Sequence, residues 1–391
     1  MNEIFEKVER TFLSKFGKTC LFVQSPGRVN LIGGHTDYND GFTLPLAIDK
    51  SIIFGISGNS VGKYRFYAVD KEESYELDIN QPLEKSEKGW PNYLLGVIDQ
   101  LHNRNYQFDG FDCVFAGDIP MGAGMSSSAA LEGGLLFGLT QLFEWNIPPV
   151  ELARIAQQAE NEFVGVQCGI MDQFISLNGK EKKAMKLDCR SLDYEFYPFD
   201  NNGIAIVLCD TQIRHELASS EYNVRRQQCE EGVEVLKSYD SDIRSLRDVS
   251  IGFLKEHRDD LDPVIFKRCK YIVEENDRVL QACEDLQNHD WAAFGQRIFA
   301  SHAGLRDEYE VSSRELDTLV EVAHHIDGVL GARMMGGGFG GCTINIVQES
   351  AYEEFSEQIQ KEYANRIEQE IKIYKTKASG GTHLIKESVE S

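Results

Sequence analysis

The chain has 391 residues, 42% of them apolar and 26% charged, the balance of an ordinary globular protein with length for two domains and a large core. Its 63 Asp and Glu outnumber its 40 Lys and Arg, leaving a net charge of −23 that argues against nucleic acid and anionic membrane as partners. The same charge repels nucleotide, so a phosphate site here needs its own local positive potential from helix N-termini, backbone N–H groups or a bound cation.

Residues 2–16 predict a helix, with Ile4, Phe5, Val8, Phe12 and Leu13 at helical spacing. Residues 21–24 predict a strand that ends at a Ser25-Pro26-Gly27 turn. Residues 33–41 are a loop, strands follow at 44–48, 52–56 and 64–69, and the polar stretch 71–89 reads as a surface excursion. A helix over 90–102 places Trp90, Leu94, Val97, Ile98 and Leu101 on one face. A strand at 111–115 leads into a glycine-rich loop and a helix carrying Ala129, Ala130, Leu131, Leu135, Leu136 and Leu139, then a further helix over about 150–162.

The second half opens with a strand at 204–208 and continues with helices over about 219–239 and 266–286. Ser312 with Glu315 predicts a capping box before the next helix. Residues 336–341 are almost all glycine and precede a strand at 342–347, a helix over 351–369 and a strand at 371–376. Helices and strands mix without a regular βαβα alternation, which favours an α+β fold. The polar stretch 188–202 is the best domain boundary, dividing the chain into residues 1–195 and 196–391.

The nine cysteines are scattered with no CxxC pair, as reduced thiols of a cytosolic protein would be. The amphipathic, charged first ten residues carry no signal core, and no apolar run approaches the ~20 residues of a spanning helix. The expectation is a cytoplasmic, soluble monomer.

Four segments carry polar chemistry. In the first, Gly122, Ala123, Gly124 and Met125 precede Ser126, Ser127 and Ser128 at the start of an apolar helix. Such a helix end offers free N–H donors and a partial positive charge to phosphate, though an ordinary N-cap reads the same way. No Gly-Lys-Ser/Thr follows, so this is not a Walker loop. In the second, Gly336, Gly338 and Gly341 fit G-x-G-x-x-G, but a strand follows where a dinucleotide fold needs a helix. The glycines instead mark close backbone approach, to a ligand or to another segment.

The third segment joins Arg28 to the loop with Gly34, His35 and Asp37, either a polyol site or a solvated loop. In the fourth, Asp172 stands among apolar residues in Cys168-Gly169-Ile170-Met171-Asp172-Gln173-Phe174. A carboxylate buried there is a salt-bridge partner or a functional group, and phosphoryl transfer to a hydroxyl uses one. His302, His324 and His325 have no metal-ligand set around them.

Taken in order, these segments resemble the GHMP kinase family and, within it, the galactokinase branch, over nearly the whole chain. Ser25-Pro26-Gly27-Arg28-Val29-Asn30-Leu31-Ile32-Gly33-Gly34-His35-Thr36-Asp37-Tyr38-Asn39 resembles the sugar-binding signature. Residues 118–128 and 335–341 resemble the second and third family motifs, and residues 168–174 and 217–226 resemble segments of that branch. The resemblance implies an N-terminal domain like ribosomal protein S5 domain 2, a ferredoxin-like C-terminal domain and an active site between them.

It also implies transfer of the ATP γ-phosphate, with Mg2+, to the C1 hydroxyl of galactose. Asp172 would accept or orient the hydroxyl proton, and Arg28 would stabilise the transferring group. Gly34, His35, Asp37, Gly169, Asp172 and Tyr222 match sugar positions; Trp90 and Tyr93 match the adenine pocket; residues 122–128 match the phosphate cradle. Ser127 or Ser128 with Glu160 are the magnesium candidates, and Glu162 competes with Glu160.

One departure stands out. The branch usually carries glutamate, facing the sugar's C6 hydroxyl, where this chain has Gly34. Galactose remains the first expectation; a sugar altered at C6 is the alternative. A sugar sensor is a third reading, against which Asp172, Arg28 and residues 126–128 stand intact.

Overall fold

The structure, a computed structural model, describes residues 2–120, 122–200, 203–213 and 218–385. Met1, Met121 of the glycine-rich loop, Asn202 and Leu217 lie outside the described residues.

In chain order the first half contains α1 (Asn2–Phe16), β1 (Leu21–Asn30), β2 (Phe42–Thr43), β3 (Pro45–Gly58), β4 (Lys63–Ala68), β5 (Glu73–Asp78), α2 (Pro91–Asn103), β6 (Phe111–Gly117), α3 (Ser127–Leu142), α4 (Pro149–Gln158) and α5 (Met171–Asn178). A hairpin of β7 (Lys183–Asp188) and β8 (Tyr194–Pro198) follows. The second half contains β9 (Ile204–Asp210), α6 (Ala218–Lys237), α7 (Ile251–Glu256), α8 (Pro263–Gln287), α9 (Trp291–Asp307), α10 (Arg314–His324), β10 (Val329–Met334), β11 (Cys342–Gln348), α11 (Tyr352–Ile367), β12 (Lys372–Thr376) and β13 (His383–Leu384).

The fold is the two-domain α+β arrangement expected. A six-stranded sheet runs in the order β13-β1-β3-β6-β4-β5, antiparallel except where β4 meets β6. Both faces are buried, which explains strands apolar at successive positions. Phe22, Ile53 and Val114 face α1, while Val23, Phe54 and Cys113 face the core built with α2 to α5. Helix α3 lies unusually close to β3, because a Cβ at Gly134 would stand 2.1 Å from the Phe54 ring.

The second sheet runs β10-β11-β9-β12, all antiparallel. Counted along the chain from β9, that is strand order 2-3-1-4, the ferredoxin-like βαββαβ pattern. Strand β13 returns to the first sheet, where it pairs with β1 at Val23 and Gln24. A third, small sheet has the order β2-β7-β8.

Several expectations change. The turn expected at residues 25–27 is a bulge inside a continuous β1, with the register shifting between Pro26 and Arg28. That bulge turns the Arg28 N–H out of the ladder to the Met125 carbonyl at 3.1 Å. The two strands expected over 44–56 are one strand, β3. The helix expected to reach residue 162 is α4, which ends at Gln158 and gives way to a π-helical turn, Ala159–Val164. The helix cap is Ser313, not Ser312: Leu316 N–H bonds to Ser313 Oγ at 3.4 Å, while Ser312 donates to Asp317 at 2.5 Å. Among the described residues no helix is long and apolar enough to cross a membrane. No disulfide joins any of the nine cysteines.

Candidate active site

Arg28 and Asp172 meet in the cleft between the two halves. Arg28 Nε and Nη2 donate to Asp172 Oδ1 and Oδ2, each at 2.7 Å, and Nη1 donates to the Gly124 carbonyl. Ser126 Oγ donates to Asp172 Oδ2 as well. Asp172 sits in the first turn of α5, where the helix N-terminus favours a carboxylate. Ser176, one turn on, donates to the Pro26 carbonyl at 2.7 Å and fixes α5 against the bulge that carries Arg28.

A cavity of about 520 Å³ opens here, lined by Arg28, Gly34, His35, Asp37, Gly169, Asp172 and Tyr222 among others. The structure thus brings the expected sugar residues together. His35 is left-handed at φ 64°, and its Nδ1 lies 2.8 Å from the Tyr38 hydroxyl. Burial, reinforced by Arg333 and Arg225, pushes its pKa down to about 3, so the ring is neutral. Gly169 is required by space: a Cβ there would stand 1.9 Å from Asp37 Oδ2. Burial and then the Asp172 charge push the Asp37 carboxyl up to about 6. Tyr222 stacks its ring 5.4 Å from His35, and the Gly34 carbonyl accepts from Tyr271 at 2.9 Å. The glycines at 336–338 form another part of the wall.

A second cavity, of about 580 Å³, is lined by Trp90, Tyr93, Ser127 and Ser128 together with Lys71 and Lys88. Trp90 is fixed by its Nε1–H, which donates to Glu73 at 2.8 Å. The stretch 71–89, expected to be a surface excursion, therefore supplies a wall and two cations. Its polar sequence carried no signal of that, because the apolar floor comes from other elements such as Ile52 and Phe115.

The loop ahead of α3 separates the cavities. Gly122, Gly124 and Ser126 have φ of 71°, 74° and 55°. The Ala123 and Met125 side chains are buried in the core, so backbone and hydroxyl groups are what this loop presents. Ser126 caps α3 in a left-handed conformation without a side-chain cap bond, because its hydroxyl is engaged by Asp172.

Behind the loop, Gln173 Nε2 bridges Glu160 Oε2 at 2.7 Å and Glu132 Oε2 at 3.3 Å. Burial, then Asp172, pushes Glu160 up to about 7, and burial raises Glu132 well above the usual range. Glu132 Oε1 is buried without a partner. Crowded carboxylates beside serine hydroxyls are a hard-oxygen set that suits magnesium. Among the described residues no three His, Cys, Asp or Glu are grouped to hold a metal ion. Glu162 is exposed and bonded to Gln100 at 2.8 Å.

The family models described as galactokinase galactose-binding signature, GHMP kinases N terminal domain and GHMP kinases C terminal match residues 10–57, 92–180 and 280–365. A galactokinase of Thermotoga neapolitana is 40% identical over 363 residues, covering 93% of this chain and 99% of that one. One from Roseiflexus sp. is 42% identical over 361 residues, 92% of each. The chain belongs to the galactokinases. The crystal structure of Lactococcus lactis galactokinase complexed with galactose superposes with a TM-score of 0.94 at 34% identity, covering 98% of this chain and 100% of that one. Methanococcus jannaschii mevalonate kinase, at 17% identity and a TM-score of 0.65, shares the fold. The galactokinase relatives favour neither a kinase for another sugar nor a sensor.

Proposed function

We propose that this galactokinase transfers the γ-phosphate of ATP to the C1 hydroxyl of galactose, with Asp172 and Arg28 at the reacting centre. The observation that carries the role of these residues is the two-point Arg28–Asp172 pair in the wall of one cavity, joined through Ser126 to the lining of a second. The first cavity is the sugar pocket. Neutral His35 keeps Nδ1 on the Tyr38 hydroxyl and offers Nε2 to the sugar, and Asp37, Tyr222 and the backbone at Gly169 supply further polar contacts. The second is the nucleotide pocket, with Trp90 and Tyr93 against the base and residues 122–128 around the phosphates.

Asp172 accepts three hydrogen bonds, two from Arg28 and one from Ser126, which fix the direction its carboxylate faces. Its role is to hold the C1 hydroxyl in line and take its proton late. A loose phosphoryl-transfer transition state asks little more of a base than that. The Arg28 guanidinium stabilises charge on the transferring group, and α3 presents N–H donors to the phosphates. Ser127 or Ser128 and Glu160 would hold Mg2+, which when bound neutralises phosphate charge. Nine cysteines outside any disulfide support a reducing, cytoplasmic setting. The protein acts as a monomer divided near residue 195.

The test is ADP release by the purified protein with ATP, magnesium and galactose, galactosamine, arabinose or glucose. Galactose is expected to give the highest kcat/KM. Turnover equal with glucose, or none with galactose, would overturn the reading.

A further inference from the structure

Arg333 on β10 is the largest completely buried side chain among the described residues. Its Nε donates to the Met334 carbonyl at 2.8 Å, and Nη1 reaches Ser301 Oγ at 3.4 Å and Glu275 Oε1 at 3.8 Å. Glu275 is already committed elsewhere: it accepts from Gly33 N–H at 2.9 Å, Ser301 at 2.6 Å and Arg278 at 2.7 Å. One carboxylate therefore faces two arginines. Nη2 of Arg333 makes no hydrogen bond among the described residues. A cationic donor in a cavity wall with no protein partner is placed to face a ligand atom.

The tip faces Gly34. A Cβ at residue 34 would stand 3.0 Å from Arg333 Nη2, and Arg333 lines the same cavity as Arg28, His35, Asp37 and Asp172. Gly34 does not have a positive φ, unlike Gly33 at 88°, so the backbone does not require glycine there. What glycine preserves is the open space over the guanidinium. The reacting hydroxyl belongs at Asp172, so the Gly34 wall meets a non-reacting part of the sugar, the C6 end in the galactokinase signature.

We propose that Arg333, uncovered by Gly34, is a sugar-binding residue that donates from Nη2 to the C6 oxygen of galactose. Recognition at C6 then runs in the opposite sense from a carboxylate at position 34: the protein donates and the sugar oxygen accepts. The inference rests on the reading of this cavity as the galactose site. Gly34 and Arg333 form a functional pair, in which a Cβ at 34 crowds the donor and makes the guanidinium give by a few tenths of an ångström.

The experiment compares kcat/KM for galactose and 6-deoxygalactose in the wild type, Arg333→Met and Gly34→Ala. Leaving a charged buried donor unpaired should make the wild type prefer galactose by at least about tenfold. Arg333→Met should bring that ratio down to about threefold or less because it removes the donor, and Gly34→Ala should lower it because it crowds the donor. General damage to the fold would lower both sugars together and leave the ratio intact. Should Arg333→Met fail to fold, Gly34→Ala decides the matter. A wild-type ratio near one, or a ratio unchanged in the folded variants, overturns the inference alone. A wild type that turns over no galactose overturns the galactokinase reading and this inference with it.

Discussion

Arg28 holds both oxygens of Asp172 through parallel bonds of 2.7 Å, and the same guanidinium reaches the Gly124 carbonyl of the loop before α3. One side chain thereby ties the proposed sugar side of the cleft to the proposed phosphate side. Asp172→Asn should lower kcat by about 10²–10⁴-fold while leaving ATP affinity within about twofold, read by steady-state kinetics and nucleotide titration. Arg28→Lys keeps the charge and loses the planar fork, so kcat should fall by about 10²-fold. Near-wild-type turnover in either would remove that residue from the reacting centre.

Glu160 and Glu162 are separated by their surroundings. Glu160 is buried on Gln173, whereas Glu162 is exposed on Gln100. Glu160→Gln should raise the magnesium concentration for half-maximal rate by about tenfold or more, and Glu162→Gln should not change it. The reverse pattern would reassign the ion.

Asp37 gives a stability prediction whose sign is fixed by its environment. Its pKa rises from 3.8 to about 6 on folding, so the folded protein binds this proton more tightly than the unfolded chain. The contribution is favourable at low pH and is lost as pH rises through the window from about 4 to about 6. Asp37→Asn should therefore raise the melting temperature at pH 7.5, by about 1–3 kcal/mol in stability, and the gain should vanish near pH 4. Its galactose kcat/KM should fall in the same protein. An unchanged melting temperature at both pH values would contradict the buried-charge account.

Most of the architecture could be read from periodicity and glycine placement, because α1, α2, α8 and α11 each bury one face. The hairpin β7–β8 and the two-residue β2 could not, since their pairing is set by tertiary contact. Strand β1 was cut short in the sequence because Ser-Pro-Gly imitates a turn, and only the neighbouring strand β3 shows that the chain runs on through a bulge. Arg28 and Asp172 were legible as chemistry through the family resemblance, but their mutual grip was not. Ser126 looked like a helix cap; its hydroxyl went to Asp172 instead. Arg333 was hidden inside an ordinary strand, and nothing along the chain connects it to Gly34.

The wall formed by residues 71–89 gives a further test. Glu73 orients Trp90 in the second cavity, the proposed nucleotide site, through a 2.8 Å bond. Glu73→Ala should raise KM for ATP by about three- to tenfold without moving KM for galactose. A change confined to galactose would contradict the placement of the two substrates.

The central claim is phosphorylation of galactose at C1 through Asp172. It is tested most directly by phosphorus and proton NMR of the product formed from galactose and magnesium ATP. The account predicts a single sugar phosphate whose phosphorus couples to the anomeric proton, with its rate of appearance lost in Asp172→Asn. Phosphate on any other hydroxyl, or the same product at the same rate from Asp172→Asn, would contradict it.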